Sequence, residues 1–226
     1  MAKNSRASKP NATSAPDVHI FTYVIEHDLG FAPNPFHGFC TLACCKPKIR
    51  STAAVGDYIL GFGAAKPGIS GKLSYWMLIE RILSFDQYWS DPRYWRKRPC
   101  MLGTTYLRYG DNIYHHERGN NDFRQEDSFH SEKNGVLSFG NLKRDTGTTQ
   151  NVLIASEFAY WGKSAITLPD GLNRFIIRGP GHKSRFTQSE IAAFLAWLKN
   201  RPERGYLDEP AHWQFLDSPR HRRRAA

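Results

Sequence analysis

Cys44, Cys45, Lys46, Lys48 and Arg50 fall in one short run around Pro47. A thiol at a helix start beside cations is a setting that lowers its pKa and makes it a nucleophile. The same run suits a bound anion, because a helix beginning near Pro47 presents free backbone N–H groups and the cations add charge. A small buried cysteine beside a solvated basic helix is the plain structural alternative. The run alone leaves all three readings open.

Three other constellations carry polar chemistry. Gly179-Pro-Gly-His182-Lys183-Ser184-Arg185 has the glycines and cations of a phosphate-wrapping loop, without the spacing of a Walker motif. Asp111, Asn112, Tyr114, His115 and His116, followed by Glu126, Asp127, Ser128 and His130, bring together acid–base groups. His115 and His116 are adjacent, and neither HExxH nor paired CxxC motifs occur, so no metal and no cofactor is expected. The pairs Tyr75-Trp76, Tyr88-Trp89, Tyr94-Trp95 and Tyr160-Trp161 suit base stacking, although aromatics also dominate small cores.

The elements that must position these groups read as an α+β domain: a compact bent β-sheet with a few flanking helices and long polar loops. Val18 to Asp28 is rich in β-branched and aromatic residues and forms the first strand. Lys46 to Ala54 forms a short helix with Pro47 in its first turn, and a Gly56-Asp57 turn leads into the strand YILGFG. KLSYWMLIERIL reads as one long strand, and NVLIASEFAYWG and LNRFIIRG as further strands. Ser84 and Gln87 form a capping box for a short helix, as Thr187 and Glu190 do for a C-terminal one that Pro202 stops. The stretch from Tyr94 to Lys143 is polar and irregular, which in a compact domain points to function or mobility.

The chain has 226 residues, 40% of them hydrophobic and 13% aromatic, which fits a packed core. Residues 1–17 read as a disordered leader, 18–216 as a single globular domain and 217–226 as a basic tail. No apolar run reaches the roughly 20 residues that span a bilayer, and the N-terminus lacks a secretory apolar region, so a cytoplasmic setting without membrane contact is expected. A formal net charge of +10 suggests a polyanionic partner, nucleic acid above all, though the ends contribute part of it. Three of the four cysteines crowd into residues 40–45, which fits reduced thiols better than a disulfide framework.

In order, YVIEHDLGFAPNPFHGFCTLACCKPKIRSTAAVGDYILGFG, FDQYWSDPRY, GDNIYH, QEDSFHS, FAYWG and GHKSRF resemble the nucleotide modification associated domain, type two. The resemblance runs from Phe21 to Trp197. It implies a bacterial or phage setting of DNA base modification or phage defence. A shorter resemblance, over Ala54 to Leu60 and Lys72 to Leu83, is to PUA-like domains of the EVE and YTH type. That one implies a β-barrel holding a modified base.

Positions matching the first family's blocks are Asn34, Pro35, Phe36, Cys40, Cys45, Lys46, Arg50, Asp57, Asp111, Asn112, Tyr114, Asp127, His130, Trp161, His182 and Lys183. Cys44 stands where the family's run carries Thr, which makes Cys45 the thiol of interest. The leading expectation is a nucleotide or modified-base binding domain, with DNA or nucleotides as partner and room for protein partners in a modification or defence system. Lys46, Arg50, His182 and Lys183 would hold phosphate, Asn34 and Asp111 would read base edges, and Trp161 would stack. The alternative is an enzyme on nucleotides or DNA bases, with Cys45, Asp111, Asp127 or His130 as nucleophile, acid or base. It requires at least two of these within hydrogen-bond reach. A protein-interaction module is the third reading.

Overall fold

The computed structural model describes residues 17–213. The leader expected over 1–17, apart from Asp17, and the tail expected over 217–226 lie outside the described residues. Among the described residues, eleven strands and five α-helices follow one another, joined in places by short 3₁₀ turns.

Strand β1 (Ile20–Ile25) runs into a loop, then β2 (Cys40–Leu42), helix α1 (Pro47–Thr52) and β3 (Tyr58–Gly63). β4 (Leu73–Leu78), β5 (Arg81–Ser84) and α2 (Phe85–Ser90) follow. The polar middle holds α3 (Thr105–Arg108), the hairpin β6 (Tyr114–His116) with β7 (Phe123–Gln125), and α4 (Phe139–Thr146). The chain continues through β8 (Asn151–Ala155), β9 (Phe158–Tyr160), β10 (His182–Lys183), α5 (Gln188–Lys199) and β11 (Gly205–Tyr206).

A six-stranded mixed sheet has the order β10-β1-β3-β4-β9-β11, and a three-stranded antiparallel sheet the order β2-β8-β5. The architecture is α+β, and its sheets do not close into a barrel, so the PUA-like barrel is set aside. Among the described residues the six-stranded sheet ends in strands of two residues, β10 and β11.

Alternation within strands builds the layers. Ile59, Tyr75, Met77 and Tyr160 pack towards Leu42 and Leu153 of the smaller sheet. Leu60, Phe62 and Trp76 face the other way, onto Phe194 and Leu198 of α5. The far side of the smaller sheet, with Val152 and Ile154, is covered by Phe85 and Tyr88 of α2 and by Tyr114. Gly61 permits close packing here, since a Cβ on it would lie 2.2 Å from the Tyr75 ring.

Both capping boxes form, at Ser84–Gln87 and Thr187–Glu190. The strand expectations need correction. Lys72 to Leu83 is not one strand: it leaves the large sheet after Leu78 and enters the small one at Arg81. NVLIASEFAYWG divides in the same way at Ser156-Glu157, and Asp170–Phe175 is a 3₁₀ turn rather than a strand. A continuous apolar run looks the same whether it stays in one sheet or passes between two.

Candidate functional site

β2 ends at Leu42, and the chain turns sharply before α1. Cys45 and Lys46 both adopt left-handed backbone, at φ 60° and 43°. Two consecutive non-glycine residues there cost of order 1–3 kcal/mol each and persist only where surroundings hold them. The holding groups are explicit. Cys45 N–H donates to Asp145 Oδ1 at 2.8 Å, and Cys45 C=O accepts from Arg50 Nε at 2.9 Å. Arg50 is fully buried and also donates to the backbone oxygens of Asn151 and Asp145.

The turn places the Cys45 thiol 3.7 Å from His130 Nε2. His130 comes from the loop after β7, where its backbone C=O accepts from Asn141 Nδ2 at 2.7 Å. Its other ring nitrogen, Nδ1, lies 2.9 Å from Asp145 Oδ2. Asp145 sits near the end of α4 and also accepts from Tyr114 Oη at 3.0 Å and Arg144 Nε at 3.0 Å. Cysteine, histidine and aspartate thus stand in line, the order used where a base activates a thiol and a third group orients the base. Cys45 is partly exposed, His130 and Asp145 are buried, and the Arg144 side chain is 42% exposed.

Burial opposes a charge on Asp145, yet the hydrogen bonds from His130 and Arg144 hold its carboxyl down at about 2. Burial also lowers the His130 imidazole below its ordinary value, with Asp145 acting against the shift and Arg144 with it. These two directions conflict, since the fall at Asp145 draws on a charged His130. The permanent Arg144 guanidinium reconciles them, and carboxylate with neutral imidazole is the resting state near pH 7. Nδ1–H then donates to Asp145 and leaves the Nε2 lone pair facing the thiol. Burial, with Asp145 adding to it, pushes the Cys45 thiol up to about 11. The resting pair is therefore thiol and imidazole, not thiolate and imidazolium.

Among the described residues, Cys44, His130 and Asp145 form one group whose ligand atoms all lie within 4.8 Å of one another. A metal there would have to break the His130–Asp145 hydrogen bond and sit beside Arg144. The donor set is a poor fit for a cation.

A profile described as nucleotide modification associated domain 2 matches residues 17–217. The chain belongs to that family. No curated protein and no solved structure matches it. The family's description links this domain to nucleotide modification.

The family-matched positions divide into several places. Cys45, Tyr114 and His130 meet at Asp145. Asn34 and Asp111 belong to a second, sealed cluster, where Lys97 Nζ donates to Asn34 Oδ1 at 2.7 Å and to Phe39 O at 2.7 Å. Asp111 there accepts from Thr41 Oγ1 at 2.6 Å and Tyr88 Oη at 2.8 Å. Asn112 is buried and donates to Tyr88 O, Cys40 is buried, and Trp161 lies in the core against α5. Asp127 is exposed, and Asp57 caps its turn by accepting from Ala54 N–H and His19 N–H. Lys46 Nζ lies 4.6 Å from the Tyr23 ring centre, and His182 pairs in register with Tyr23, so both lie on one face of β1. Lys183 turns away and donates to Ile176 O at 2.7 Å. Phe36 forms a wall of a cleft of about 420 Å³ with His37, Tyr106, Arg204 and Tyr206.

Sequence reasoning missed Asp145 and Arg144. Their only local signal is an Arg-Asp pair at a helix end, within a stretch that reads as irregular.

Proposed function

We propose that this domain is an enzyme that modifies nucleotides or DNA bases by covalent catalysis through Cys45. The observation that carries the reading is the line Cys45–His130–Asp145, in which Cys45 is a partly exposed residue. His130 accepts the Cys45 proton as sulfur bonds to an electrophilic carbon of the substrate and the carbon's π bond opens. The protonated imidazole then returns that proton to the electron-rich atom the opened bond leaves behind. Asp145 orients the ring and stabilises its transient charge. With the thiol raised to about 11 and the imidazole lowered, prior ion-pair formation is uphill, so the proton must move as the carbon–sulfur bond forms.

The expected binding role is contained in this reading. Lys46, next to the thiol turn, supplies charge for a phosphate, and His182, on the same face of β1, supplies a hydrogen-bonding ring. A DNA-modification or phage-defence setting and a cytoplasmic location accompany the proposal.

The test is incubation of the protein with a panel of nucleotides and oligonucleotides, with products read by mass spectrometry of released nucleosides. Cys45→Ala, shown folded by circular dichroism, should abolish any conversion the wild type performs. Conversion at the wild-type rate in that variant removes Cys45 from the chemistry.

A further inference from the structure

The reactive line adjoins a continuous run of aromatic rings. Phe31 packs on His130 at 4.4 Å between ring centres and on Phe129 at 5.6 Å. Phe129 then meets Tyr109 at 5.5 Å, Tyr109 meets Trp213 at 6.2 Å, and Trp213 meets Tyr106 at 4.9 Å. Tyr106 closes the run against Phe36 at 5.1 Å, on the wall of the 420 Å³ cleft.

The four middle rings are not core, while Phe31 and Phe36 at the two ends are buried. Phe129 is 42% and Tyr106 38% exposed, and Tyr109 and Trp213 are partly exposed. Exposed aromatics joined ring to ring are rare on a surface that has no partner. Cations stand at the two ends of the run. Arg144 stands at the reactive line, the exposed Arg108 precedes Tyr109, and Arg204 lines the cleft. Aromatic faces along a cationic track are what binding of unpaired nucleotides requires, because every base offers a π face and every phosphate a charge.

We infer that this run is a stacking platform for a single-stranded nucleic acid, which it leads from the Tyr106 cleft to Cys45. The substrate of the proposed reaction is then a base within an unpaired strand rather than a free nucleotide. A duplex hides the faces of its bases and gains little from such a platform. This inference rests on the enzyme reading for its reaction but not for its binding.

Fluorescence anisotropy with a labelled twelve-nucleotide single strand, the matching duplex and a mononucleotide competitor tests it, across a salt series. Phe129→Leu and Tyr106→Leu keep apolar bulk at exposed positions and remove the π face. Each should weaken single-strand binding about tenfold at every salt concentration, with the salt slope unchanged. The duplex should bind at least tenfold more weakly than the strand. Wild-type affinity in both variants, equal binding of the duplex, or a mononucleotide that competes as well as the strand overturns the platform.

Cys45→Ala separates the two ideas. Strand binding kept with conversion lost supports both. No strand binding, but Cys45-dependent conversion of free nucleotides, overturns the platform alone. Strand binding with conversion intact in Cys45→Ala overturns the covalent role of Cys45 alone.

Discussion

Two buried carboxylates at the end of β2 have opposite fates. Asp111 accepts from the hydroxyls of Thr41 and Tyr88, and burial raises its pKa despite the pull of Lys97. Asp145 accepts from a backbone N–H, an imidazole and a guanidinium, and is held at about 2. Consecutive cysteines join the two clusters: Cys44 Sγ lies between them, 3.6 Å from Asp111 O and within 4.8 Å of ligand atoms of His130 and Asp145, and Cys45 Sγ faces His130. Around Asp111, the side chains of Asn34, Thr41, Tyr88 and Lys97 are sealed at 1% exposure or less. Around Asp145, Cys45 is partly exposed and the Arg144 side chain reaches solvent. Fully satisfied polar groups without an opening make a fastener, while a similar set with one reactive atom at the surface makes a site.

The largest effect that sharpens this contrast should come from His130→Gln. The amide keeps hydrogen-bonding ability but cannot take the thiol proton. Removing a general base lowers the rate about a hundred- to ten-thousand-fold. Melting should change little by comparison, because the glutamine amide can still donate to Asp145 in place of the imidazole. A rate within threefold of wild type, on any substrate the enzyme converts, would make His130 structural and erase the difference between the clusters.

Lys97→Ala probes the other side. Burial lowers the Lys97 ammonium to about 8, and its donors satisfy the carbonyls of Asn34 and Phe39. Removing it leaves these acceptors and Asp111 without their cation, a loss of about 3–5 kcal/mol for a broken buried charge network. Urea unfolding checks the figure. A loss below 1 kcal/mol would show that the sealed cluster does not fasten the fold.

The two clusters were also unequally legible in the sequence. Cys45 and His130 each stand out by residue type, but the left-handed turn does not, since Pro47 only steers the residue before it from helix towards extended backbone. Asp145 is 100 residues from Cys45 and looks like any helix-end acid, so only tertiary contact joins them. Lys97 reads as one cation in a basic run, yet it is fully buried. The two capped helices were legible because caps are local. The division of two apolar runs between sheets was not, because both halves alternate in the same way and only the opposing surface distinguishes them. Trp161 illustrates the same limit: an aromatic pair suits stacking or core equally well until its neighbours are known.

The smallest effect concerns Arg144, which separates an orienting cation from a catalytic one. Its Nη2 lies 3.3 Å from His130 Nδ1 and 3.2 Å from Nε2, and one donor cannot point in plane at both. It therefore acts on the ring mainly as a charge. That charge disfavours imidazolium and favours thiolate. In Arg144→Ala both influences vanish. The His130 pKa should rise, so the acid limb of kcat/KM, which requires neutral imidazole, moves to higher pH. The Cys45 thiol should rise beyond about 11, so its alkylation by iodoacetamide at a fixed alkaline pH slows. At the pH plateau the rate should fall less than tenfold, because the thiol, base and orienting carboxylate are all retained. Two limbs moving upwards together identify Arg144 as a tuner of the open cluster. A large plateau loss with unmoved limbs would instead place its guanidinium on the substrate.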